Sequence, residues 1–195
     1  MAATRNPHTD SRLPKVLDEA ARLFRTRGFE GTSVRDIARA VGMLPGSLYC
    51  HFETKEALLV AVYVKGVQQI TESVSAAVAR ETDPWERLEA ACVAHLEAIL
   101  RDDDYAQVVV RVRPADVPVA HESLIALRNQ YEAVFNDLIK ELPLVRSTDR
   151  RVLRLMLIGA MNSAQTWYRP DGRFHPRAIA RKFIGLLRQG QEVPA

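Results

Sequence analysis

The chain has few cysteines and no long apolar run free of charges. Its 195 residues include two cysteines, Cys50 and Cys92, which are too few and too far apart for a disulfide framework or a thiolate metal cluster. No stretch of about eighteen apolar residues lacks charged side chains. The first residues contain no apolar segment of the kind found in secretory signals. We therefore expect a cytoplasmic protein that has no membrane partner.

The sequence also lacks the short motifs of several common enzyme classes. It contains no G-x-S-x-G, no phosphate-binding P-loop, no glycine-rich dinucleotide motif and no H-E-x-x-H. His95, His121 and His175 are not spaced like metal ligands. These absences favour a protein with no catalytic residues, no cofactor and no metal. An enzyme of another kind remains the alternative from a different functional class.

The periodicity of the apolar residues predicts an all-α protein. Hydrophobic residues make up 47% of the chain, which is enough for one large core or for one small and one medium core. Nearly every segment repeats its apolar residues at helical spacing, and none alternates as a strand does. We predict about nine helices: 11–27, a segment capped by Thr32 and Ser33, a segment opening at Pro45, 55–80, 84–100, 104–114, 121–141, 152–168 and 176–190.

Residues 31–55 contain two short amphipathic segments joined by a turn. Gly42 lies in the turn, and Pro45 suits the first turn of the second segment because it has no amide donor to lose. Up to the end of this stretch the chain carries nine basic and six acidic residues, whereas the remainder carries eighteen of each. The excess of positive charge at the motif indicates a helix-turn-helix that enters the major groove of DNA.

The same region resembles the TetR family of one-component transcriptional regulators. The resemblance rests on AARLF (20–24), GTSVRDIA (31–38), GSLYCHF (46–52) and the Lys-Glu pair that follows, about a quarter of the chain. It implies a three-helix DNA-binding domain over 11–54 and a helical effector domain over 55–195. It further implies a homodimer that binds a palindromic double-stranded DNA operator and represses transcription until a small ligand releases it.

Two positions depart from the usual family pattern. Leu44 stands where most members have serine, and Cys50 stands where they have an aromatic residue or histidine. The MLPGSLY of 43–49 and the WYRPDG of 167–172 resemble a subgroup associated with lipid and acyl-CoA catabolism. This second resemblance implies an acyl-CoA effector. A multidrug-sensing or aromatic-sensing repressor of an efflux gene and a constitutive architectural DNA-binding protein remain alternatives, as does a redox role for Cys50.

The match to the family motif also implies which residues face DNA. The residues placed against phosphate are Thr32, Ser33, Tyr49, His51 and Lys55, and those placed against the bases are Leu44, Pro45, Gly46 and Ser47. Because Ser47 is the one polar side chain in the second group, thymine methyl contacts and DNA shape should carry much of the sequence specificity. Packing in the core is the alternative for Tyr49, and packing or capping is the alternative for His51.

An effector site in a helical bundle requires a cavity lined mainly by apolar and aromatic side chains. The candidates are Tyr63, His95, Leu96, Val109, Arg113, Tyr131, Phe135, Asn162 and Trp167. Plain core packing is the alternative for each of them. Asn162 needs a partner because it is an amide on an otherwise apolar helix. Arg111 and Arg113 are candidates for binding an anionic group of the ligand, and a surface ion pair is the alternative.

The last two predicted helices carry the features of a dimer interface. Small residues at helical spacing would let another helix approach closely, and bulky apolar residues would interleave with it. The small residues are Gly159, Ala160, Ser163 and Ala164, and the bulky ones are Phe183, Leu186 and Leu187.

Overall fold

A computed structural model describes residues 12–190 of the chain. Within this range the chain forms nine α-helices and two short 3-10 helices and contains no strand, which confirms the predicted all-α class. None of these helices is long and apolar enough to cross a membrane. The helices are α1 (Leu13–Arg27), α2 (Val34–Ala40), α3 (Pro45–Tyr49), α4 (Lys55–Val78), α5 (Pro84–Leu100), α6 (Asp104–Arg111), α7 (His121–Glu141), α8 (Arg150–Trp167) and α9 (Pro176–Gln189).

Most helices begin where the sequence predicts. The side chains of Ser33, Asp83 and Asp149 accept hydrogen bonds from main-chain amides in the first turns of α2, α5 and α8, as N-cap residues do. The predicted start of the first helix at Ser11 lies outside the described residues. Gly28 follows α1 with φ 75° and ψ 166°, so it uses the positive φ that favours glycine but is not in the predicted left-handed helical conformation.

The helices surround two adjoining apolar cores. The first core joins α1, α2 and α3 to the first half of α4, to α6 and to the beginning of α7. The second joins the end of α4 to α5, α7, α8 and α9. Leu58, Leu59 and Tyr63 of α4 belong to the first core. The packing of the N-terminal bundle therefore continues beyond residue 54, where we expected the first domain to end.

Helix α6 lies very close to α4. A Cβ atom on Gly66 of α4 would come within 2.6 Å of Val109 Cγ2 and 2.9 Å of the main-chain oxygen of Tyr105. The glycine therefore permits an approach that no larger residue would allow. Since α6 also packs against α1, it connects the N-terminal bundle to the second core.

Candidate DNA-binding and effector sites

Helices α2 and α3 meet at a tight turn. Gly42 adopts φ 68°, and the main-chain amide of Met43 donates a 2.8 Å hydrogen bond to the carbonyl of Ala38. Ile37 of α2 and Leu48 of α3 are fully buried in the first core. This packing fixes the angle between the two helices and directs the opposite face of α3 to the outside.

Most residues that we placed against DNA lie on that outer face. Leu44 is 77% exposed and Tyr49 is 48% exposed, so Tyr49 is not a core residue. Ser33, Gly46, Ser47 and His51 are also exposed, and Pro45 is half-buried. The surface thus contains most of the residues that the family motif implies for phosphate and base contacts, and their DNA contacts stay a prediction.

The beginning of α2 is closed by a capping box. The main-chain amide and the hydroxyl of Ser33 donate to Asp36 Oδ2 at 3.1 and 2.5 Å, and the amide of Asp36 donates to Ser33 Oγ at 3.2 Å. The hydrogen bond from Ser33 lowers the pKa of Asp36. The capping box does not use the main-chain amides of Val34 and Arg35, so these two donors at the start of α2 are able to bind an anion such as a phosphate.

Thr32 differs from the other residues of the predicted phosphate group. Its side chain is 1% exposed, and its hydroxyl donates to the carbonyls of Gly28 and Leu23 at 2.9 and 3.2 Å. These bonds hold the loop before α2 against the end of α1. The Thr32 hydroxyl is hydrogen-bonded inside the fold and is therefore not exposed for the phosphate contact that we predicted.

Lys55 has a structural role in addition to its predicted one. Its Nζ donates to the carbonyl of Phe29 at 2.9 Å, lies 4.0 Å from the centre of the Phe29 ring and 3.8 Å from a carboxylate oxygen of Glu30. The side chain therefore attaches the start of α4 to the loop between α1 and α2. The contact of this ammonium group with phosphate stays a prediction.

A cavity of about 290 Å³ lies where the two cores meet, and residues of α4, α5, α6, α7 and α8 line it. Six of the predicted effector residues line it: Tyr63, His95, Val109, Arg113, Tyr131 and Asn162. The prediction missed the remaining lining residues, which are Val67, Ile70, Ile99, Val110, Val112, Arg128, Glu132 and Ile158. Most of the missed residues are aliphatic, and nothing in the sequence distinguishes an aliphatic side chain at a cavity from one in a filled core.

Three polar side chains form a hydrogen-bonded row in the cavity wall. His95 Nδ1 lies 2.6 Å from the hydroxyl oxygen of Tyr131, and His95 Nε2 lies 3.1 Å from Asn162 Oδ1. Because the amide oxygen of Asn162 only accepts, Nε2 carries the proton and Nδ1 accepts from Tyr131. Burial lowers the pKa of His95 to about 4, so the ring is neutral at physiological pH.

Charged residues lie at one side of the same cavity. Arg113 donates two hydrogen bonds to the carboxylate of Asp116, at 2.9 and 3.1 Å, and Glu132 is paired with Arg154 of α8. The exposed Arg128 also lines the cavity. An anionic group at the side of the cavity where these residues lie would pair with Arg128, because Arg113 and Arg154 already have carboxylate partners.

Three of the effector candidates lie outside the cavity. Phe135 is fully buried behind it, with its ring centre 5.8 Å from that of His95 and 5.7 Å from that of Tyr131. Leu96 is also fully buried. Trp167 is 47% exposed at the end of α8. We correct the prediction for these residues, because helical periodicity identified them as apolar but not the direction in which they point.

Polar contacts attach the start of α6 to α1. The hydroxyl of Tyr105 donates to Asp18 Oδ1 at 2.7 Å, and Lys65 Nζ of α4 lies 2.8 Å from that hydroxyl and 3.1 Å from Asp18 Oδ1. Arg25 of α1 is ion-paired with both Asp102 and Asp104. The helix whose last turns line the cavity is therefore bound to the N-terminal bundle through its first turn.

The outer face of α8 is unusually apolar. Val152, Leu155 and Met156 are each more than half exposed, and Leu186 of α9 is 68% exposed. Ala164, which we assigned to the dimer interface, is fully buried within the chain itself. Gly159 and Ser163 are exposed and continue the face of Val152, Leu155 and Met156 at helical spacing, so Ala164 is the one small residue of the prediction that is buried away from this face.

Comparisons with known proteins agree with this arrangement. The HTH-type transcriptional repressor KstR2 of Rhodococcus jostii (strain RHA1) is 29% identical over 190 residues, which cover 94% of this chain and 92% of that protein. The solved structure of AibR in complex with isovaleryl coenzyme A and operator DNA has a TM-score of 0.76 at 27% identity, covering 90% of this chain and 97% of that one. The superantigen PfiT has a TM-score of 0.78 at 29% identity, covering 93% and 97%.

The names of these three proteins indicate different functions, and one fold can carry several functions. The family itself is defined by matches along most of the chain. Residues 16–62 match the family described as bacterial regulatory proteins, tetR family, and residues 81–191 match the tetracyclin repressor-like C-terminal domain. The second match alone spans more than half of the 195 residues. The chain therefore belongs to the TetR family of bacterial regulatory proteins.

Proposed function

We propose that this protein is a dimeric DNA-binding repressor that a small, largely apolar effector releases from a palindromic operator. One observation carries the proposal: α6 contributes Val109 and Val110 to the cavity wall and at its other end is bound to α1 through Tyr105 and Asp104. A ligand that moves the end of α6 therefore acts on the position of the DNA-binding helices.

The effector that we propose is an acyl-CoA or a related thioester. At about 290 Å³ the cavity is at the lower end of the range for small-molecule sites, roughly 300 to 1,000 Å³. An acyl group fits such a volume, whereas the nucleotide must stay outside, beside Arg128 at the rim. AibR was solved with isovaleryl coenzyme A and operator DNA, which supports the same class of ligand for this chain.

Dimerisation would occur through α8 and α9. The exposed apolar side chains Val152, Leu155, Met156 and Leu186 would be covered by the same face of a second copy, as a two-fold interface requires. A dimer would present two copies of α3 to successive major grooves on one side of a DNA duplex. The domains that we propose for these tasks are 11–54 for DNA and 55–195 for the effector and the dimer.

The test begins with a binding site selected from random DNA duplexes by the protein itself, because the operator sequence is not needed in advance. We expect one palindrome to be enriched and bound at about 10⁻⁸ M or tighter at physiological salt. Isovaleryl-CoA, octanoyl-CoA, palmitoyl-CoA, free CoA and the matching carboxylic acids are then titrated into the complex. Release by one or more thioesters, and not by free CoA, is the expected result.

The other outcomes point to the alternatives. Release by uncharged aromatic drugs, with no response to any thioester, would indicate a multidrug-sensing repressor. Binding to every duplex with similar affinity would indicate an architectural DNA-binding protein. The first result would overturn the proposed effector, and the second would overturn the proposed operator binding.

A further inference from the structure

We propose that the hydroxyl of Tyr63 recognises an uncharged oxygen on the part of the effector that enters the cavity, and so selects oxygen-bearing ligands over hydrocarbon ligands of the same shape. This inference rests on the proposed function, because it assigns a partner to one group in the wall of the effector cavity. It adds a specificity-determining residue and limits the chemistry of the ligand.

The Tyr63 hydroxyl is buried without a partner. The residue is fully buried on α4, and its hydroxyl oxygen has no hydrogen-bond partner among residues 12–190. Buried hydroxyl groups in proteins almost always have a partner. Because the residue lines the cavity, a ligand in the cavity is positioned to supply the missing acceptor.

The other uncharged polar side chains of the wall are hydrogen-bonded to one another. Tyr131 donates to His95 Nδ1, and His95 Nε2 donates to Asn162 Oδ1. Tyr63 is therefore the hydroxyl in this wall whose proton is not directed to a neighbouring side chain. A ligand oxygen in contact with it gains a hydrogen bond without breaking the row.

The burial of the Tyr63 hydroxyl favours an uncharged oxygen over a carboxylate. Burial is the largest cause that raises the pKa of Tyr63 to about 12, and the electrostatic effects of Arg128 and Glu132 on this hydroxyl have opposite signs. A carboxylate beside Tyr63 would lose its hydration at a fully buried hydroxyl, where Arg128 attracts it and Glu132 repels it, so the lost hydration is replaced only in part, which is costly. The carbonyl of a ketone, ester or thioester, or a hydroxyl, accepts the same hydrogen bond at a much smaller desolvation cost.

The test uses two probes that differ in a single group. Octan-2-one carries a carbonyl oxygen where 2-methyloct-1-ene carries a methylene group of similar shape, and ligand-detected NMR gives the dissociation constant of each. We expect the preference of the wild-type protein for the ketone, expressed as the ratio of the two constants, to fall about 3- to 10-fold in Tyr63→Phe. The matched control is Tyr168→Phe, since Tyr168 is a half-buried tyrosine that does not line the cavity, and the loss of its hydroxyl should leave the ratio unchanged.

Several results would decide against the inference. An unchanged ratio in Tyr63→Phe would overturn it, and so would a failure of both probes to bind the wild-type protein. Thermal unfolding of the ligand-free variant serves as a check on folding, and we expect a Tm equal to or above that of the wild type because no hydrogen bond within the protein is lost. The probes contain neither CoA nor DNA. A protein that discriminates between them through Tyr63 but is not released from DNA by thioesters would therefore refute the proposed effector and leave this inference intact.

Discussion

Arg25 on α1 lies within hydrogen-bonding distance of Asp104, the first residue of α6, with 2.8 Å between Nη1 and Oδ1. The two residues are 79 positions apart in the sequence. The same guanidinium group is paired with Asp102. This contact joins the helix that supports the candidate DNA-binding surface to the helix that ends at the candidate effector cavity.

The first prediction concerns this link. In Arg25→Met, the ratio between the operator dissociation constants with and without a saturating acyl-CoA should fall about 3- to 10-fold, because allosteric coupling energies are small enough for one lost contact to matter. Fluorescence anisotropy of a labelled operator duplex measures both constants. Arg22→Met is the matched control, since Arg22 lies on the same helix but is paired with Glu19, one turn away. A ratio in Arg25→Met equal to that of the wild type would show that the effector signal does not pass through this contact.

The sequence was sufficient to predict the helices of the N-terminal bundle. The spacing of Val34, Ile37 and Leu48, together with the turn glycine Gly42, constrains both helices and their packing, because these contacts are local in the chain. The choice between Thr32 and Ser33 was not determined by the sequence. Both hydroxyl side chains are able to cap a helix, and the structure uses Ser33 as the cap and Thr32 as a buried bond to α1.

The effector half was less predictable because its site is formed by distant segments. His95, Tyr131 and Asn162 were each recognisable as residues in need of a partner, but that they bind one another depends on how three helices pack. The burial of Ala164 and the exposure of Trp167 could not be predicted from the sequence. A small or an aromatic residue at helical spacing belongs to some face of α8, and only the rotation of the helix decides whether that face is buried.

The second prediction is a pH dependence of stability due to His95. Its pKa is lowered to about 4 in the fold, with burial as the first cause, against about 6.5 in an unfolded chain. Between these values the unfolded state binds more protons, so the stability rises with pH across this window and is lost as the pH falls through it. We expect this residue to make the protein about 2 kcal/mol less stable at pH 5 than at pH 7.

Urea unfolding at the two pH values measures that contribution. In His95→Gln the difference in the free energy of unfolding between pH 5 and pH 7 should shrink by the amount assigned to His95, whereas the exposed His175→Gln variant should keep the wild-type difference. If the wild-type difference between pH 5 and pH 7 is also kept in His95→Gln, then burial does not hold the histidine in its neutral form.

The third prediction separates two roles of Lys55. Lys55→Met should lower the slope of log K against log salt for operator binding by up to about one, because one phosphate contact is lost. It should also lower the Tm, because the bond to the carbonyl of Phe29 is lost in the same variant. Tyr49→Phe should weaken operator binding with no change in Tm, since the Tyr49 side chain is exposed.

The control for this pair is Lys140→Met. Lys140 lies on α7, paired with Asp137 at the surface, and its loss should change neither the slope nor the Tm. A lower Tm in Lys55→Met with an unchanged salt slope would assign Lys55 a structural role alone.

The last prediction tests the proposed dimer. Leu155→Glu places a charge on the exposed apolar face of α8, where a second copy would bury it without a partner, and such burial is strongly unfavourable. We expect analytical ultracentrifugation to show a shift from dimer to monomer, while thermal unfolding shows a folded protein because Leu155 is 53% exposed in the single chain. Val119→Glu, at an apolar residue that is 84% exposed in a different part of the chain, should remain a dimer. Ala164→Arg should instead fail to fold, since that position has no space within its own chain.

Because a monomer contacts only one half-site, Leu155→Glu should also lose most of its affinity for the palindrome while retaining weak binding to DNA. A dimeric Leu155→Glu with wild-type operator affinity would place the interface on another surface.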